Sequence, residues 1–240
     1  MSDIIASAKA MIDAATQQGL SIRLLGGIAV AIHCPYSVNP GRSYRDIDAY
    51  IPAKNQKAIS TFLVQYGYIA DKEFNVLNGD TRLLFHDPHT HRQLDIFVGE
   101  FNMCHRIPLS IDAHPYTVAV AELLLTKLQI IKLNPKDAHD GCALLRTAQI
   151  GTSTSQAATR QRLAQLCGQD WGLWRTLTLN LARCVQYTTT HCPEYTPIVT
   201  HEAQAIQQFL DGAPKSLAYK MRAAIGDKVK WYEEPEEVER

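Results

Sequence analysis

The segment Arg45-Asp46-Ile47-Asp48-Ala49-Tyr50-Ile51, closed by Pro52, constrains this chain more than any other. It predicts a strand from Asp46 to Ile51. On a strand, residues i and i+2 share a face, so Asp46 and Asp48 project side by side while Ile47 faces the core. Two carboxylates this close repel one another unless a cation lies between them. Hard divalent ions such as Mg²⁺ take oxygen ligands of this kind, usually together with substrate phosphates. A solvated strand end accounts equally well for an Asp-x-Asp standing alone.

Two further pieces narrow the choice. Upstream, Ser21 to Leu25 predicts a short strand, Gly26-Gly27 breaks it, and Ile28 to His33 starts a helix. Glycines at such a turn let the backbone approach a ligand closely, and a helix N-terminus favours phosphate. No Gly-Lys-Ser/Thr follows, so this is not a Walker loop, and the Rossmann glycine spacing is missing. Downstream, Asp95 stands inside the apolar run Gln93-Leu94-Asp95-Ile96-Phe97-Val98. A lone carboxylate there is costly unless it is paired or bound to a metal.

Gly-Gly on a strand–helix turn, Asp-Ile-Asp on the next strand and one Asp on a later strand resemble the DNA polymerase β-like nucleotidyltransferase superfamily, over roughly residues 20–145. With Arg42-x-x-Arg45-Asp46-Ile47-Asp48, the pattern is most similar to minimal and abortive-infection toxin-like members. The resemblance implies an α+β fold, in which a small mixed β-sheet flanked by helices precedes an all-helical C-terminal region. It implies that Gly26, Gly27 and Arg45 hold the nucleotide and that Asp46, Asp48 and Asp95 bind two Mg²⁺ ions. It also implies transfer of a nucleoside monophosphate from an NTP to an acceptor hydroxyl, with release of pyrophosphate. Acceptors in related families are tRNA ends, proteins and small molecules, and the sequence does not choose among them. The second glycine replaces a common family serine and removes one hydroxyl contact to phosphate. An inactive nucleotide-binding protein, a toxin–antitoxin partner and an aminoglycoside-type antibiotic nucleotidyltransferase are the alternatives.

Val120 to Leu133 predicts an apolar helix in which Leu123, Leu124, Ile130 and Ile131 surround Lys127. An ammonium on an apolar face either snorkels to water or meets an anion. A second helix follows Asn134-Pro135, with Asn134 as N-cap and Pro135 as first helical residue. Its opening Lys136-Asp137-Ala138-His139-Asp140 matches the Lys-Asp-x-x-Asp stretch of the toxin-like families. By that resemblance Lys127 contacts the triphosphate and Asp137 positions the acceptor. On the residues alone, Asp137 simply complements the helix N-terminus.

Elsewhere a helix is expected from Ser2-Asp3 to Gly19, and another from Asn55 to Tyr66 stopped by Gly67. The runs Leu83–Phe85 and Leu94–Val98 predict a hairpin across the turn 86–91. Ile107 to Leu109 and Tyr116 to Val118 predict short edge strands. The Gly/Ser/Thr-rich stretch 150–156 is the expected linker, dividing a catalytic domain 1–150 from a helical domain 151–240. Helices are expected over 157–167, 171–190, 201–210 and 215–225. His86, His89 and His91 fall in a turn without a second ligand group, and Trp171, Trp174 and Leu177 repeat as a helical core face.

The 240 residues hold 24 Lys+Arg against 24 Asp+Glu, a balance that excludes a general nucleic-acid coat. From Ser155 to Tyr232 nine Lys/Arg outnumber five Asp/Glu, and the last eight residues reverse this with five Glu and one Arg. No apolar run reaches the ~18 residues of a membrane span. No signal-peptide pattern opens the chain. The six cysteines include no Cys-x-x-Cys. These features lead us to expect a cytoplasmic protein with unpaired thiols.

Overall fold

The computed structural model describes residues 2–34, 43–150 and 156–234. Arg42, most of the expected linker and the end of the acidic tail lie outside them. The fold is α+β: a small mixed sheet flanked by helices, then a helical region. The chain divides into two compact units, Met1–Asn102 with Pro108–Ala119, and Met103–Ile107 with Val120–Arg240.

The first unit is built on five strands in the order β1-β2-β5-β4-β3. These are β1 (Arg23–Leu24), β2 (Ile47–Ile51), β3 (Ile69–Ala70), β4 (Arg82–His86) and β5 (Gln93–Val98). Only the central β2–β5 pair is parallel; the other three are antiparallel. The hairpin β4–β5 forms as its apolar runs require, with Asp87 closing the turn. Its carboxylate accepts from the backbone N–H of His89 and Thr90 and from the Thr90 hydroxyl. His86 ends β4 while His89 and His91 lie in the connection to β5, and among the described residues no group of three or more His, Cys, Asp or Glu is disposed to hold a metal. Leu24 bridges Thr117 in parallel on its outer side, so Tyr116–Val118 edges the sheet as expected.

Helix α1 (Ser2–Gln17) buries Ile4, Ala8, Met11, Ile12 and Ala15, the stripe its period dictates. Helix α2 (Gly26–His33) follows β1 directly, and α3 (Gln56–Tyr66) stops at Gly67, whose φ of 108° no β-carbon favours. Helix α4 (Lys72–Asn78) was not legible in the sequence. It has no apolar stripe; Val76 and Leu77 are exposed. Polar contacts hold it instead. Asp71 caps it through the Phe74 N–H, and the Asn75 amide bonds both the N–H and the C=O of Leu84.

At the end of α2, His33 is half-buried beside His114, with Nε2 2.7 Å from Thr117 Oγ1 and ring centroids 4.9 Å apart. Burial, and secondarily His114, lower its pKa to about 4. Its folded pKa is below the unfolded value, so the neutral form is the one the fold holds. Its contribution is present above about pH 6.5 and lost as pH falls towards 4. Relative to His33→Gln, the native chain should lose on the order of 3 kcal/mol of unfolding free energy across that window. Urea unfolding at pH 7, 5.5 and 4 measures it; parallel curves for the two proteins would contradict it.

In the second unit, α5 (Val120–Leu128) is buried along all nine residues. It packs on α6 (Pro135–Ile150), α7 (Gln156–Gln169) and α8 (Trp171–His191). These contacts place α5 and α6 in the same compact unit as the later helices. α5 also ends five residues before the expected Leu133. From α8, Asn180 donates to the carbonyls of Leu128 and Ile130, and Arg183 to that of Ile131, which ends the helix there. Helices α9 (Thr196–Gly212) and α10 (Leu217–Ile225) complete the unit. Glu122 and Glu202, both about 1% exposed, are matched by Arg162 and Arg160. Trp171 and Leu177 are core residues, as their spacing predicts. The six cysteines are free thiols, five of them buried. No helix among the described residues is long and apolar enough to cross a membrane.

Candidate active site

Gly26 opens α2 with φ of 59°, a left-handed conformation. A β-carbon built on it would lie 1.8 Å from Asp48 Oδ2. The Asp48 carboxylate therefore lies against the backbone that starts α2. The backbones are tied together too, because Leu25 N–H donates to the Asp48 carbonyl at 2.8 Å. A helix N-terminus presents unpaired N–H groups and a positive dipole end, and the N-cap residue Leu25 has no side-chain cap to cover them. Gly27 is the next residue of that first turn.

Both features of Gly26 forbid a side chain, which leads to a direct expectation. Gly26→Ala should destabilise the first unit by more than the roughly 1–2 kcal/mol that the left-handed conformation alone imposes. The excess comes from displacing Asp48. Denaturant unfolding checks it; a loss within that range would mean that Asp48 moves aside freely.

On the sheet, Asp48 is in register with Asp95 across the parallel β2–β5 pair, so the two side chains share a face. Asp46 stands two residues before Asp48, at the mouth of β2, and is half-buried like Asp48. Arg45 is exposed. Asp95 is only 3% exposed and is gripped by Arg82: Nε donates to Oδ1 at 2.8 Å and Nη2 to Oδ2. The Arg82 guanidinium also stacks over the Phe97 ring, 5.1 Å from its centroid. Burial opposes the charge on Arg82, but the Asp95 hydrogen bonds and the charges of Asp95 and Asp48 outweigh it and raise its pKa.

Asp46 and Asp48 are half-buried carboxylates of the kind that a divalent ion takes as ligands. Asp95 does not suit such an ion, because its two oxygens are already bonded to Arg82.

In the second unit, Lys127 meets an anion. Its Nζ lies 2.9 Å from Asp137 Oδ1 and 3.1 Å from Asp140 Oδ2. Asn134 caps α6 through the Asp137 N–H at 2.9 Å and donates its amide to Asp137 Oδ2. Asp137 thus closes the helix N-terminus, as its position suggests, and also pairs Lys127.

No family model matches the chain, and no curated protein matches it. Two solved structures are similar in part. One is the antibiotic-resistance factor ANT(2'')-Ia, at 15% identity over 69% of this chain and 96% of that one, with a TM-score of 0.45. The other is a tRNA-processing enzyme in an apo form, at 12% identity over 95% and 79%, with a TM-score of 0.33. Likeness at that level says nothing about chemistry.

The site residue invisible to motif spacing is Arg82. Counting back from the hairpin turn would have found it. Leu84 faces Asp95 directly, and Arg82, two residues earlier, is the diagonal neighbour on the same face.

Proposed function

We propose that the first unit transfers a nucleoside monophosphate from an NTP to an acceptor hydroxyl. The observation that carries this reading is the Asp48 carboxylate held against Gly26 at the start of α2, on the face shared with Asp95 and two residues after Asp46. That juxtaposition puts phosphate-binding N–H groups beside cation-binding oxygens, which is what a triphosphate requires.

The first-turn N–H groups of α2 at Gly26 and Gly27 bind phosphate oxygens, with the Asp48 carboxylate filling the space that a Gly26 side chain would take. Arg45, exposed ahead of β2, supplies positive charge towards the same ligand. Asp46 and Asp48 would hold a divalent ion such as Mg²⁺, which neutralises phosphate charge when bound. Asp95 and Arg82 fix the floor of the site. The acceptor oxygen bonds to the α-phosphorus, the α–β bridging bond breaks, and pyrophosphate leaves. Lys127 and Asp137 enter this reading as an ion pair of the helical unit.

The test supplies each of the four α-labelled NTPs with Mg²⁺ and separate pools of RNA, protein and small molecules. Label moving into one pool identifies the acceptor class. No incorporation into any pool, with intact nucleotide binding, would leave a binding protein in place of an enzyme.

A further inference from the structure

In the helical unit, residues 226–233 lie along the first turns of α8. Arg222 of α10 donates to the carbonyls of Gly226 and Val229, and Arg175 of α8 grips Asp227 with a two-pronged bond. Trp231 sets its indole edge-on to Trp171, centroids 5.9 Å apart, and donates Nε1–H to Thr176 Oγ1 at 3.1 Å. The same hydroxyl lies 2.8 Å from His105 Nε2. Having accepted from the indole, it has its own proton to give, which makes a neutral His105 the acceptor. Two residues on, the Glu233 N–H donates to the Cys104 carbonyl. The chain's end therefore pins Met103–Ile107, a piece of the helical unit that the sequence sets between two stretches of the first unit. A β-carbon on Gly172 would lie 2.7 Å from the Trp231 carbonyl oxygen and 3.4 Å from His105 Cε1, so helix, strap and ring meet where only glycine fits. The polar groups underneath are imperfectly matched. Gln129, with no exposed surface, accepts from the His105 N–H, yet its Nε2 has no partner among the described residues.

We propose that residues 226–233 form an acid-released strap over Met103–Ile107, with His105 as its sensor: Trp231 is docked while His105 is neutral and leaves when His105 is protonated. An imidazolium puts a second donor against Thr176 Oγ1, whose own proton must then turn away. It also needs the water that the docked strap excludes. Release hydrates both the ring and the Gln129 amide. Burial lowers the His105 pKa, against the opposing charges of Asp170 ahead of α8 and Glu233 on the strap. The folded value thus lies below the ordinary one of about 6.5. Docking contributes fully above that pH and is lost as pH falls through the folded value. The inference is independent of nucleotide transfer.

Fluorine NMR of the full chain carrying fluorotryptophan tests this. The Trp231 signal, identified by its loss in Trp231→Phe, should move to the position of a solvent-exposed indole as pH falls from 7 to 4.5, while the Trp174 signal and the far-UV circular dichroism stay unchanged. His33 titrates in the same range, so the movement should persist in His33→Gln. His105→Gln keeps an acceptor for Thr176 and takes up no proton, and should hold the Trp231 signal at its docked position throughout. His105→Asn makes the same test if that variant does not fold. A Trp231 signal still docked at pH 4.5 in the native chain, one that moves equally in the His105 variant, one that stops moving in His33→Gln, or one that moves only together with global unfolding overturns the proposal.

Discussion

Replacing Lys127 by methionine should cost the helical unit about 3–5 kcal/mol, the usual penalty for stripping a buried ion pair of one partner. Methionine keeps the length and apolar stem of lysine, so the packing of α5 is preserved and the charge alone is lost. What remains is Asp140, with no exposed surface, and Asp137, both deprived of the ammonium that they share. A second substitution separates charge from packing. Lys127→Met with Asp140→Asn removes the buried carboxylate on the other side of the pair and should recover most of the loss. Chemical denaturation of the three proteins measures both values. A single variant within about 1 kcal/mol of the native chain would show the pair to be no better than a surface salt bridge.

Asp48→Asn should act in the opposite way, sparing the fold and removing the activity. Asparagine has the shape of aspartate, so the close packing against Gly26 survives. The negative oxygen that would hold a divalent ion does not. Losing a charge contact of several kcal/mol in the transition state corresponds to a fall of roughly 10³-fold in the single-turnover rate. A rate within tenfold of native, in a protein that unfolds at the native denaturant midpoint, would remove Asp48 from the site.

The legible parts of the fold were those set by local chemistry. The α1 stripe, the Gly67 stop, the Asp87 turn and the Asn134 cap each depend on a few neighbouring residues, and each forms where the sequence puts it. The parts missed depend on partners distant in the chain. Helix α4 is held by Asn75 on the β4 backbone, and α5 ends where Asn180 and Arg183 arrive from α8. Helix α9 starts five residues before the expected His201, at Thr196-Pro197, where proline suits a first turn but the β-branched run Ile198-Val199-Thr200 obscures helical propensity. The candidate site divides in the same way. Strand alternation predicts that Asp46 and Asp48 share a face, but β2 begins at Ile47 and leaves Asp46 in the bend before it. That Asp95 lies in register with Asp48 follows from a parallel pairing that no short-range pattern contains. Lys127 is the clearest case of an open choice being closed: its apolar surroundings allowed either snorkelling to water or an anion, and Asp137 and Asp140 are that anion.

The central claim is that Asp46 and Asp48 serve transfer of the α-phosphoryl group. Parallel reactions with α-labelled and γ-labelled NTP, on the native chain and on the Asp46→Asn/Asp48→Asn double variant, test it most directly. The account predicts that α-label enters the acceptor, that γ-label appears in pyrophosphate, and that both signals vanish in the folded double variant. Label transfer that persists in that variant, or γ-label released as orthophosphate, would contradict it.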